Sequence, residues 1–146
     1  MEEAPELAST HAADRRNARV LVVDDERLVR EIAAYMLQLG GYDVVTAAHG
    51  AEALEQGASA EREGRPIGIA ILDVTVPGTM GGAETFGLMR DRHPLIDVVL
   101  SSGYGPEDWL QAEHPPAAVL PKPYHRHELL ACVATLARQK ERFLPA

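Results

Sequence analysis

Five polar residues stand at the ends of short apolar runs in this chain. Asp24 and Asp25 follow VLVV (20–23), and Asp73 follows IAIL (69–72). Ser102 closes VVLSS (98–102), and Lys122 follows VLP (119–121). Packed carboxylates repel one another and burial disfavours their charge, so three that meet need a neutralising partner. A hard divalent cation, Mg2+ or Mn2+, fits that need, because it takes one or two carboxylates together with waters and phosphate oxygens. No Cys or His belongs to the set, which argues against a softer metal. The Lys122 ammonium is a mobile point charge suited to a phosphoryl oxygen, and the Ser102 hydroxyl can donate to another. An aspartate beside a metal and facing an open site is a nucleophile toward a phosphoryl group. Asp73, alone at the end of its run, is the best placed for that role.

Convergence of these residues depends on the elements that carry them. From Arg19 onward, short β-branched runs alternate with stretches of helical period. Val20–Val23, Tyr42–Thr46, Ile69–Leu72, Val98–Leu100 and Ala118–Leu120 read as strands. Helices are expected from Leu28 to Leu39, His49 to Glu63, Ala83 to Arg92, Glu107 to Glu113 and His125 to Glu141. Gly40-Gly41 stops the first helix, and Pro115-Pro116 forbids continuation of the fourth. In the first helix, Leu28, Ile32, Tyr35, Met36 and Leu39 fall at helical spacing. In the last, Leu129, Leu130, Val133 and Leu136 point inward, with Cys132 as a small core residue. Such alternation predicts an α/β fold: a doubly wound, five-stranded parallel sheet with helices on both faces. In such sheets ligands bind beyond the carboxyl ends of the strands, where all five polar residues stand.

Composition bounds the rest. With 146 residues, 46% hydrophobic and 25% charged, the chain is the size of one domain with a proper core. The expected organisation is a leader over 1–18, a domain over 19–140 and a tail over 141–146. A net charge of −8 argues against a nucleic-acid or anionic-membrane partner. No apolar run approaches the roughly 20 residues of a membrane span. The lone Cys132 cannot pair within the chain, and the polar N-terminus is no signal peptide, so a cytoplasmic location is expected.

VLVVDDE (20–26), ILDVTVPGTMGG (71–82), VVLSSGY (98–104) and VLPKPY (119–124) together resemble the receiver domains of two-component response regulators. The pieces follow the family's order and spacing, from about Arg19 to Arg138. The resemblance implies a flavodoxin-like domain that takes a phosphoryl group from a histidine kinase or histidine phosphotransfer protein. Matched position by position, Asp73 is the phosphoacceptor. Asp24 and Asp25 form the acid pair at the Mg2+ site, with Asp25 the more direct ligand, and the Thr75 main-chain carbonyl is a further ligand. Ser102, chosen over Ser101 because Gly103 follows it, is the switch hydroxyl. Lys122 pairs with the phosphate, and Pro123 follows it through a cis bond. The expected product is a signalling module, monomeric or weakly dimeric. It would act on a downstream protein without an output domain of its own, and would not be an enzyme beyond accepting and slowly losing its own phosphoryl group.

Three features depart from the common pattern. Val119 occupies the position of the family's switch aromatic, and Tyr104 is a candidate substitute. The Pro77–Gly82 loop is one residue longer, and the stretch from Ser102 to Lys122 is short. A receiver of the stand-alone or hybrid-kinase style is therefore expected. The alternatives are a metal-dependent phosphatase with an aspartate nucleophile, disfavoured because Thr75 replaces its general acid, and a phosphorylation-independent interaction module.

Overall fold

The computed structural model describes residues 19–74, 82–102 and 115–142. Its strands are β1 (Arg19–Val23), β2 (Val44–Ala47), β3 (Ile67–Asp73), β4 (Asp97–Ser102) and β5 (Ala118–Pro121). Among the described residues its helices are α1 (Arg27–Leu39), α2 (Gly50–Arg62), α3 (Gly82–Arg92) and α4 (Arg126–Arg142). The helix expected between Glu107 and Glu113 lies outside the described residues.

All five strands are parallel, in the order β2-β1-β3-β4-β5. Alternate residues of each strand feed opposite faces of the sheet. Leu21, Val23, Ala70, Leu72, Val98 and Leu100 pack on one side with Ala53 and Leu54 of α2 and Phe86 and Met89 of α3. Val20, Val22, Ile69, Ile71, Val99 and Leu120 pack on the other with Ala33 and Leu37 of α1 and Leu129 and Val133 of α4. A register shift lets Arg19 pair with Ile67 but Val20 with Ile69, so Gly68 is extra, and Ile67 and Ile69 reach opposite cores. Strands buried on both faces explain why these runs are continuously apolar.

The helix boundaries have local causes. His49 Nδ1 accepts from the Glu52 N–H while Glu52 Oε1 accepts from the Ala48 N–H, a reciprocal cap at the start of α2. Glu128 caps α4 by accepting from the His125 N–H at 2.7 Å. Gly40 ends α1, and Gly41 follows in the left-handed region at φ 94°.

Packing against the sheet decides which side of each helix is buried. On α1, Leu28, Ile32, Tyr35 and Leu39 are exposed, and the sheet is covered instead by Ala33 and Leu37, with Met36 partly buried. Ala51 of α2 is exposed, and Gly57 and Ala60 take the inner positions with Ala53 and Leu54. Lys140 Nζ donates to the Leu95 carbonyl at 2.7 Å, which ties α4 to the chain leading into β4. His125 and His127, two apart, nevertheless stack with ring centroids 5.9 Å apart, since His125 precedes the helix.

Candidate functional site

The switch in strand order falls between β1 and β3, and it opens a crevice at their carboxyl ends. Asp24 leaves β1 there and Asp73 ends β3. Both are buried, 3% and 2% exposed, while Asp25 is exposed. One oxygen from each of the three lies within 4.8 Å of the others. At an effective dielectric constant of about 20, each such pair of charges repels by on the order of 3 kcal/mol.

Lys122, carried in by β5, answers part of that charge. Its Nζ donates to Asp24 Oδ2 at 2.9 Å and to Asp73 Oδ2 at 3.1 Å. Partial burial works to lower the Lys122 pKa, but the hydrogen bonds and charges of Asp24 and Asp73 outweigh it and hold the group above its ordinary value. The Lys122–Pro123 peptide bond is cis, as expected. Asp24 is held further by the Glu26 N–H, which donates to its Oδ1 at 3.0 Å, and Arg30 donates to its main-chain carbonyl at 2.8 Å. Both oxygens of Asp24 therefore have protein donors, while Asp25 is exposed.

The set fits a hard divalent cation. Three carboxylates against one ammonium leave an excess of negative charge with oxygen donors only, the donor chemistry Mg2+ prefers. Gly82, the first residue of α3, packs against the end of β3: a Cβ there would collide with the Val74 main chain, so glycine lets the helix approach the strand this closely.

Of the expected site residues, Asp24, Asp25, Asp73 and Lys122 come together at one edge. Ser102 closes β4 at the same edge, paired with Pro121. Val119 is half-buried within β5. Thr75 and Tyr104 lie outside the described residues. Sequence reasoning passed over Glu26 and Arg30, whose contacts run through the backbone and leave no side-chain signature. It also passed over a cavity of about 460 Å3 beside Lys122, lined by Val29, Ile32 and Met36 of α1 and by Pro123 and Tyr124. Burial raises the Tyr124 pKa, keeping its hydroxyl neutral there.

Known proteins resemble this chain in sequence and fold. The family model of the response regulator receiver domain matches residues 20–134. The chain therefore belongs to the response regulator receiver domain family, whose members bind Mg2+ at an acidic pocket and interact with histidine kinases or phosphotransfer proteins. It is 38% identical over 119 residues to the response regulator protein FleR of Pseudomonas aeruginosa, covering 80% of this chain and 24% of FleR. It is 35% identical over 128 residues to the sensor kinase CckA of Brucella abortus, covering 86% of this chain and 13% of CckA. The chain thus spans a quarter or less of these two relatives. Among solved structures, the chemotaxis response regulator CheY4 of Vibrio cholerae superposes with a TM-score of 0.72 at 28% identity, covering 82% of this chain and 98% of that one. No helix among the described residues is long and apolar enough to cross a membrane.

Proposed function

We propose that this chain accepts a phosphoryl group on Asp73 from a histidine kinase or histidine phosphotransfer protein and signals through protein contacts. The observation that carries the reading is the Lys122 ammonium shared by two buried carboxylates, Asp24 and Asp73, at the switch point of the sheet. Asp25, Asp73 and the Thr75 carbonyl would hold Mg2+, which when bound supplies positive charge to offset the phosphoryl oxygens. Asp73 attacks phosphorus in line. Lys122 follows the negative charge from carboxylate to phosphoryl oxygen. The Ser102 hydroxyl moves toward the new acyl phosphate, and that motion biases the surface partners read.

The outward stripe of α1 supports the docking part of this reading. Leu28, Ile32, Tyr35 and Leu39 stand 54–72% exposed on one side of the helix, and Ile32 also lines the cavity beside Lys122. An apolar face that borders the acceptor suits the helix surface of a phosphodonor protein.

Incubation with phosphoramidate and Mg2+ tests the proposal. The expected result is one stable phosphoryl group per chain, absent from Asp73→Asn. Rapid multiple turnover would indicate the phosphatase instead, and no labelling a phosphorylation-independent module. Tyr104, two residues beyond the switch hydroxyl, is expected to shield the acyl phosphate from water. Tyr104→Ala should then shorten the phosphoryl lifetime, measured as loss of label after the donor is removed.

A further inference from the structure

Ser101 is paired with Asp73 in the register of β3 and β4 and with Leu120 in that of β4 and β5. Residues in register across a parallel sheet project to the same face, so Ser101 directs its hydroxyl to the side on which Asp73 stands. Its carbonyl already accepts from the Val74 N–H at 3.1 Å, tying it to the residue that follows the acceptor. The side chain is 2% exposed, yet its Oγ has no hydrogen-bond partner among the described residues. Val99 and Leu120, its neighbours on that face, belong to the apolar core. A core contact alone would be served as well by alanine or valine, and a buried hydroxyl left unpaired is a cost.

The supply of donors around Asp73 changes during the proposed reaction. Lys122 Nζ is divided between Asp24 and Asp73. An incoming phosphoryl group competes for that ammonium, and Asp73 then loses a donor at the moment its carboxylate must hold a fixed orientation. Ser101 is the adjacent member of the same row and carries an uncommitted O–H.

We infer that Ser101 is a positioning residue for the acceptor: its hydroxyl turns to the Asp73 carboxylate as Lys122 moves to the phosphoryl group. The inference rests on the phosphoacceptor reading above. In the reaction with phosphoramidate, the P–N bond breaks and its electron pair leaves on nitrogen, which departs protonated as ammonia. An Asp73 oxygen forms the new P–O bond, and Ser101 keeps its proton throughout, donating a hydrogen bond to the other oxygen.

The test compares Ser101→Thr with Ser101→Val, which share a shape and differ in the hydroxyl, and adds Ser101→Ala in case the extra methyl groups disturb packing. Initial rates of labelling by phosphoramidate with Mg2+ are measured beside thermal unfolding of the unmodified proteins. Val and Ala should label about tenfold more slowly, the rate equivalent of one hydrogen bond to a charged group, with Thr close to the starting protein. The unmodified Ala variant should melt no lower than the starting protein, since it loses no bond made in that state. Equal labelling rates across the series would overturn the inference, as would an Ala variant that melts well below its parent. If the unaltered chain labels on Asp73 while the series is flat, only the role of Ser101 falls. If the unaltered chain takes no label, the acceptor reading falls and Ser101 with it.

Discussion

The two ends of the sheet carry similar numbers of charges and treat them in opposite ways. At the amino end, Arg19 and Arg65 meet Asp43 and Glu63. Arg19 Nε lies 3.1 Å from Asp43 and its Nη1 lies 3.6 Å from Glu63, while Arg65 also pairs with Asp43. Arg19 further donates to the Arg65 carbonyl at 2.8 Å. Two cations face two anions, and Asp43 and Glu63 are both substantially exposed. At the carboxyl end, three carboxylates face one lysine, and two of the three are buried. The first arrangement is internally neutral and ties strand starts together. The second stays short of positive charge and so has an appetite for an external cation and for a group that Lys122 can follow. Imbalance held in a buried crevice separates the candidate site from the merely polar edge.

The largest effect is expected at Lys122. Lys122→Met leaves Asp24 and Asp73 buried without their ammonium, at a cost of roughly 3 kcal/mol, the low end for a broken buried pair because the lysine is 24% exposed. Urea unfolding with and without Mg2+ checks this, and the cation should restore part of the loss. The same variant has a pH signature. The folded Lys122 pKa is raised, so its contribution is complete below the unfolded value of about 10.5 and fades as pH rises through the folded one. The burial-raised Tyr42, Tyr124 and Cys132 also cost stability at high pH, so the diagnostic is the difference between parent and variant. The parent should lose the larger increment above pH about 10.5.

A smaller effect is expected on the approach to the candidate site. Ile32→Glu places a charge on the exposed stripe of α1 without touching Asp73. Phosphotransfer from the cognate kinase should fall about tenfold, the loss of roughly 1.4 kcal/mol of docking, while labelling by phosphoramidate stays unchanged. Equal loss with both donors would place the damage at the acceptor instead of the surface. The smallest effect belongs to the amino end. Asp43→Ala should cost no more than about 1 kcal/mol by thermal unfolding, as exposed ion pairs do. It should leave the stabilisation by Mg2+ intact. A lost Mg2+ response in this variant would contradict the separation of the two ends.

The site was far more legible in the residues than the surfaces around it. Asp24, Asp73 and Lys122 could be assigned to one edge because short β-branched apolar runs alternating with helical stretches read as parallel strands, and parallel strands all end on the same side. The α1 stripe was misleading for a physical reason. Leu28, Ile32, Tyr35 and Leu39 lie at helical spacing, but so do Val29, Ala33, Met36 and Leu37, and periodicity alone does not say which stripe meets the sheet. Ala33 and Leu37 are buried against the sheet with Met36 partly so, and Leu28, Ile32, Tyr35 and Leu39 face outward. The second stripe was the available signal. His93 had none: it is 5% exposed, its Nδ1 lies 2.8 Å from Glu61 Oε2, and its ring lies over Gly57 of α2.

The order of elements, the parallel sheet and the residues that end its strands follow from local period and from chain connectivity, and so could be read from the residues alone. Tertiary structure alone decided how the charges are divided. It gave both oxygens of Asp24 to protein donors, shared one ammonium between two carboxylates 49 and 98 residues from it in the chain, and left the Ser101 hydroxyl without a partner among the described residues. Those outcomes depend on register and on ångström-scale distances between segments remote in sequence, which no spacing along the chain encodes.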